Sequence, residues 1–202
     1  MVTIVDYKVG NLGSIHNMLK KIGVPALITS SLEEISSAEK LILPGVGAFD
    51  SGINSLKKHN IWQILNDKVL KQKTPVLGIC LGMQLLCNRS EEGKEAGLGW
   101  IDAEVTRFKP TDKRFKTPHM GWNYTTSPKE SKLFANMYDD PKFYYVHSYY
   151  VTANDDSSIA KSTYDITFDA ALEKGNILGT QFHPEKSHKF GMKLLENFVQ
   201  HY

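Results

Sequence analysis

Two cysteines in 202 residues are too few for a disulfide framework, and Cys80 and Cys87 have neither a CxxC pairing nor a histidine cluster beside them. No metal site and no cofactor is expected. No run approaches the roughly 18 apolar residues that a membrane helix needs, and the opening "MVTIVDYKVGNLG" has too short an apolar stretch, with no basic leader, for a signal peptide. The expectation is a cytoplasmic protein with no membrane contact. Basic residues number 24 against 22 acidic ones, a net charge of +2 with no long basic block, so no nucleic-acid partner is implied. No linker rich in Pro, Gly or Ser, no repeat and no low-complexity tract divides the chain. Residues 1–202 are therefore expected to form one domain. What is present, 41% hydrophobic and 23% charged residues, is the composition of an ordinary globular protein.

The first half alternates short β-branched runs with amphipathic ones: "VTIVDY", "NLGSIHNMLKKIG", "PALITS", "SLEEISSAE" and "KLILPGVG". That rhythm predicts β-α-β-α-β. Two more helical segments, "FDSGINSLKKHN" and "NIWQILNDKVLKQK", precede "TPVLGI", whose continuous apolar character fits a central parallel strand buried on both faces. The fold class expected is α/β, an open and mostly parallel central sheet flanked by helices, with ligand sites at the carboxyl ends of the strands. The second half, "WIDAEVTRF", "HMGWNYTT", "FYYVHSYYVTA", "SIAKSTY", "TFDAALEKG" and "NILGTQFH", reads as additional strands, several of them antiparallel. In "HKFGMKLLENFVQHY", Leu194, Leu195, Phe198 and Val199 recur at helical spacing and predict a closing helix on the sheet.

"TPVLGICLGMQLL", residues 74 to 86, places Cys80 between two glycines where the strand period gives way to a helical one. A lone cysteine is more often a small buried hydrophobe. Here the G-x-C-x-G spacing is the thiol counterpart of the strand-to-helix elbow that displays a hydrolase serine, and a helix N-terminus behind it would favour a thiolate. Cys87, in "LLCN", has no such turn and is expected in the core. A thiol nucleophile needs a base, and a base needs an orienting acceptor. The best candidates are His183 and Glu185 in "QFHPEKS", held at the end of a strand "ILGTQF" by Pro184. His16, His119, His147 and His188 lie in plainer contexts and read as surface or core histidines. The Leu81 N–H beside the nucleophile is a natural oxyanion donor. The loop "PGVGAF" is either a simple tight turn or a second donor.

With "DYKVGN", "LPGVGAF", "GICLGMQLL", "RSEEG", "TPHMGWN", "FYYVHSYY" and "EKGNILGTQFHPEKS" in order, the chain resembles the class I (triad) glutamine amidotransferases over nearly its whole length. "PHMGWN" with "VHSYY" points to the HisH type, the glutaminase subunits of imidazole glycerol phosphate synthase. The resemblance implies hydrolysis of L-glutamine to glutamate and ammonia through a glutamyl thioester on Cys80, with His183 as acid and base and Glu185 as its support. Gln84 and Glu92, helped by backbone near Ser148 and Tyr149, would grip the amino acid part of glutamine. Backbone at Val46 and Gly47 would supply an oxyanion donor that is correctly oriented only in the active complex. The implied partner is a HisF-like (β/α)8-barrel cyclase, in a heterodimer making imidazole glycerol phosphate and an aminoimidazole carboxamide ribotide for histidine biosynthesis. Asn11, His119, Trp122, Asn123, Tyr144 and Lys186 match positions near that interface, although Trp122 and Tyr144 read equally well as sheet packing.

The match departs from the family pattern in two places. Lys8 stands where many relatives carry glycine, in a loop whose geometry or partner contact a lysine would alter. "EKSHKFGM" and "NLGSIHNMLKKIG" look more like paralogues that feed ammonia to surface-polysaccharide sugars. Four readings follow: the histidine-pathway glutaminase, a glutaminase serving a sugar-modifying synthase, a non-catalytic regulatory subunit, and a cysteine peptidase or thiol hydrolase on a related α/β sheet, which leaves "CLGMQ" and the Trp122 region unexplained. The third sits poorly with an intact triad.

Overall fold

The computed structural model describes residues 1–127 and 129–202. Among them, the first half builds the predicted alternation. Strands β1 (Val2–Val5), β2 (Ala26–Thr29), β3 (Leu41–Leu43) and β4 (Val76–Ile79) run parallel. Their crossovers carry α1 (Leu12–Lys21), α2 (Leu32–Ser36), α3 (Phe49–Lys58) and α4 (Ile61–Asn66), the last running on into a π-helical turn at Asp67–Lys71. After β4 comes α5 (Leu81–Leu85), then β5 (Arg89–Ser90), β6 (Ala103–Arg107), β7 (His119–Tyr124), β8 (Lys142–His147), β9 (Tyr149–Ala153), β10 (Ser158–Tyr164), β11 (Ile166–Lys174) and β12 (Ile177–Thr180). The predicted closing helix is α6 (His188–His201).

The main sheet has the order β2-β1-β3-β4-β12-β11-β9-β6-β5, with β10 paired to β11 off that path. It is parallel from β2 through β12 and antiparallel from β12 to β6. The class expected from the sequence, a mostly parallel α/β sheet with added antiparallel strands, is the one found. Every residue of β1, β3, β4 and β12 is buried, as both-face packing requires. Alternate strand residues feed opposite cores. Val5, Leu41, Leu43 and Val76 pack with Phe49, Leu56 and Leu65, whereas Ile4, Ile42 and Leu77 pack with Ile15, Leu19, Leu194 and Phe198.

The run "FYYVHSYYVTA" is two strands rather than one. The chain turns at Ser148, so that β9 joins the main sheet while β8 pairs with β7 in a separate two-stranded sheet. Residue Lys8 takes φ 69°, in the left-handed region that glycine would enter without penalty, and its N–H and Nζ both bind the Asp6 carboxylate, at 3.0 and 2.9 Å. Lysine thus keeps a glycine-like backbone there and offsets part of its cost with a local carboxylate contact.

Candidate active site

The register at the sheet centre places the thiol. Ile79 pairs with Thr180, and the next residue, Cys80, donates its N–H to the Thr180 carbonyl at 2.7 Å. Cys80 itself has φ 54° and ψ −108°, a strained conformation for a residue with a side chain. The flanking glycines make that turn possible. A Cβ on Gly78 would lie 2.7 Å from the Gly82 carbonyl oxygen, and one on Gly82 would run into the Leu43 carbonyl oxygen. Both positions are therefore closed to any larger residue. Cys80 is 7% exposed, and Cys87 is fully buried with its thiol pushed up by burial and then by the charge of Asp169.

One expectation needs correction here. The helix behind Cys80 is only five residues long, so it contributes little macrodipole. The Leu81 N–H, the expected oxyanion donor, is engaged by the Gly45 carbonyl at 3.3 Å.

The strand carrying the histidine stops at Thr180, three residues short of the predicted end. His183 is fixed instead by an isolated antiparallel bridge to Tyr144, whose carbonyl accepts its N–H at 2.9 Å, and by Ser187 Oγ donating to its carbonyl at 2.6 Å. A 3-10 turn, Pro184–Lys186, folds Glu185 back so that Oε1 lies 2.7 Å from His183 Nδ1. Nδ1 is then the donor, which leaves Nε2 as the working nitrogen. Burial opposes charge on the ring, but hydrogen bonding and charge from Cys80 and Glu185 prevail and push it up to about 10. At Nε2 the contact with Cys80 falls short of a full hydrogen bond, so Nε2 is buried without a partner, as is Glu185 Oε2. Catalytic hydrogen bonds are often long or poorly aligned until substrate binds.

Beside the thiol lies a cleft of about 490 Å³ lined by Val46, Gly47, Cys80, Leu81, Gln84, Glu92, Ser148 and Tyr149, along with Ala48, Pro118, Val146 and His147. A larger depression of about 620 Å³, around Ser131 and Phe134, holds none of these groups. Val46 is 44% exposed and Gly47 has φ 104°, so the loop after β3 reaches the rim. Two of the expected substrate-gripping groups are partly engaged by the protein itself. Glu92 Oε2 accepts the Phe49 N–H at the start of α3 at 2.8 Å, and Gln84 Nε2 donates to the Tyr149 carbonyl at 3.2 Å and to Gln181 Oε1 at 3.0 Å. The Ser148 carbonyl accepts the Phe108 N–H at 3.0 Å.

Among the residues assigned to a partner surface, Trp122 is 46% exposed, opposite Tyr144 in the β7–β8 ladder, with Lys186 Nζ 5.6 Å over the Tyr144 ring. Asn11 is exposed but caps α1, accepting the Ser14 N–H at 3.4 Å. Half-buried Asn123 donates to the Thr163 carbonyl at 2.9 Å. His119 departs from the expectation of surface contact: it is buried, with its ring stacked on Tyr145 and Tyr164. Its Nδ1 meets His147 Nε2 at 2.9 Å, and His147 Nδ1 meets the Tyr149 carbonyl at 2.7 Å. A carbonyl only accepts, so His147 carries its proton on Nδ1 and takes one hydrogen bond from His119. Burial pushes these histidines down, to about 4 for His119 and about 3 for His147, so both are neutral. His147, expected only as a plain surface or core histidine, lies on the cleft wall, and Gln181, not singled out by the sequence, has its Nε2 3.7 Å from Cys80 Sγ. "VHS" and "TQF" marked both as strand residues but gave no sign of what they face.

The glutamine amidotransferase class-I family model matches residues 3–202. Relatives named imidazole glycerol phosphate synthase subunit HisH 2 come from Methanococcus maripaludis, 56% identical over 201 residues, and Pseudomonas aeruginosa, 49% identical over 201 residues. In both cases 99% of each chain is covered. HisH from Leptospira interrogans is 44% identical over 202 residues, with 98% of this chain and 99% of its own covered. Among solved structures, a glutamine amidotransferase gives a TM-score of 0.75 at 17% identity, covering 98% of this chain and 97% of that one. A structure described as PurLQS from Thermotoga maritima gives 0.72 at 18%, covering 98% and 96%. These structural likenesses speak for the fold, and the family match and full-length identities go further: the chain belongs to the class-I glutamine amidotransferases, and within them to the HisH subunits of imidazole glycerol phosphate synthase.

Proposed function

We propose that this chain hydrolyses L-glutamine to glutamate and ammonia, and delivers the ammonia to a HisF-like (β/α)8-barrel cyclase in a heterodimer of histidine biosynthesis. The observation that carries the chemistry is the meeting of a strained, glycine-flanked Cys80 with a buried His183–Glu185 pair whose Nε2 is unpartnered. The relatives named HisH support the pathway. In this reading the chain acts as one domain, in the cytoplasm; no helix among the described residues is long and apolar enough to cross a membrane.

The proton of Cys80 Sγ passes to His183 Nε2 and the sulfur attacks the side-chain amide carbon of glutamine. As the C–N bond breaks, Nε2 returns that proton to the departing nitrogen, giving ammonia and a γ-glutamyl thioester. Water then attacks the thioester carbon, its proton goes to Nε2, the C–S bond breaks, and the restored cysteine leaves glutamate free. Glu185 holds Nδ1–H and stabilises the imidazolium in both halves. Gln84, Glu92 and the Ser148–Tyr149 backbone border the site for the amino acid part. The Leu81 N–H and the backbone at Val46 and Gly47 serve the oxyanion once the Gly45 carbonyl turns away from Leu81, a change we assign to partner binding. Trp122, Tyr144, Lys186, Asn11 and Asn123 form the face toward that partner, with His119 acting from beneath it.

The test is reconstitution with the barrel cyclase and its nucleotide substrate. Glutamine-dependent cyclisation is expected. Failure to cyclise, with a sugar-modifying synthase accepting the ammonia instead, would overturn the pathway assignment and leave the glutaminase chemistry standing.

A further inference from the structure

We propose that Gln181 is a positioning residue that holds the Cys80 sulfur and stabilises its anionic form by donating a hydrogen bond from Nε2. The inference rests on Cys80 being the nucleophile. Gln181 is fully buried, one residue beyond the Thr180 carbonyl that accepts the Cys80 N–H, and its own N–H is anchored on the Ala170 carbonyl at 2.9 Å. Its Nε2 lies 3.7 Å from Sγ, within reach of a hydrogen bond to sulfur.

The orientation of that amide is dictated from outside. Gln84 Nε2 donates to the Tyr149 carbonyl, which fixes which end of the Gln84 amide carries the donors. The same Nε2 donates to Gln181 Oε1 at 3.0 Å. Flipping Gln181 would set two NH2 groups against each other and turn a carbonyl oxygen onto the sulfur, so its N–H must face Cys80. The sulfur therefore has a partner in either protonation state. As a thiol it donates to the Val146 carbonyl at 3.9 Å, and as a thiolate it accepts from Gln181. When the proton moves from Sγ to His183 Nε2, a donor is already in place and no side chain must turn.

The test uses Gln181→Met, which removes the donor while keeping an unbranched chain, and Gln181→Glu, which keeps the shape and an acceptor for Gln84. Iodoacetamide alkylation of Cys80 is followed by peptide mass spectrometry over a range of pH, with Cys87 as the internal control, alongside glutamine turnover in the complex with the barrel cyclase. A hydrogen bond to a charged group is worth about 10- to 100-fold in rate when removed from a reacting centre. For Gln181→Met the expected result is that loss in Cys80 alkylation at pH 7 and in kcat, a profile displaced to higher pH, and KM within about threefold of the parent. Gln181→Glu, which puts a carboxylate against the sulfur, should lose more. Alkylation profiles and kcat matching the parent, or a loss accompanied by newly reactive Cys87, would overturn the proposal. Cys80→Ala is measured in parallel. If it still hydrolyses glutamine, the nucleophile assignment falls and the Gln181 proposal with it; if it is inactive while both Gln181 variants behave as the parent, the Gln181 proposal alone falls.

Discussion

Replacing His119 by Gln should make the fold less sensitive to acid, by an amount set by the buried histidine pair. In the folded chain His119 and His147 are held neutral by burial, at about 4 and about 3, against an ordinary value near 6.5. Because the folded values are depressed, the unfolded chain binds more protons below 6.5, and stability falls as pH drops through that window. Between pH 7.5 and 5 each histidine costs about 2 kcal/mol, so the pair costs about 4 kcal/mol. His183 has the opposite sign: its folded value is raised, so its contribution is full below 6.5 and fades as pH climbs toward 10. It is present in both proteins and cancels in the comparison. The groups around His119 are Asn123, His147, Tyr145, Tyr164, Phe108 and Phe168, none of them ionised in this range. Urea unfolding followed by tryptophan fluorescence at the two pH values gives each protein's acid loss, and the intrinsic cost of the substitution drops out. The variant should lose about 2 kcal/mol less than the parent, or about 4–8 °C in Tm. Parallel losses, equal within about 0.5 kcal/mol, would refute the placement of His119 as a buried neutral donor.

Other consequences are shorter to state. Glu185→Gln keeps the shape of the acceptor but removes its charge from the imidazolium, and should lower kcat for glutamine hydrolysis by at least about 100-fold with little change in KM; a loss under tenfold contradicts the role given to Glu185. Gly82→Ala drives a methyl into the Leu43 carbonyl oxygen and should cost about 1–3 kcal/mol of stability in a urea titration; an unchanged midpoint means the elbow does not need close backbone approach.

The fold was legible because its signals are local. Short β-branched runs marked β1 and β3, a continuous apolar run marked β4 as a doubly covered strand, and glycines at positions 78 and 82 marked the elbow. The pairing of His183 with Glu185 could also be read, since Pro184 confines both to one turn. What escaped was set by distant contacts. Nothing local shows that the chain turns at Ser148 to send β8 into a second sheet, or that His119 and His147, 28 residues apart, share a hydrogen bond. The engagement of the Leu81 N–H by Gly45 and of Gln84 by Gln181 likewise joins segments that meet only when the parallel strands assemble. For the same reason α5 is shorter than its apolar run suggests: "LGMQLL" continues as buried core, but Cys87 and Asn88 pass into the loop toward β5.

The measurement that tests the account most directly is Cys80→Ala in complex with the barrel cyclase, assayed separately with glutamine and with ammonium as the nitrogen source. The account predicts complete loss of glutamine-dependent synthesis with ammonium-dependent synthesis retained. Glutamine-dependent turnover at the parent rate would contradict it.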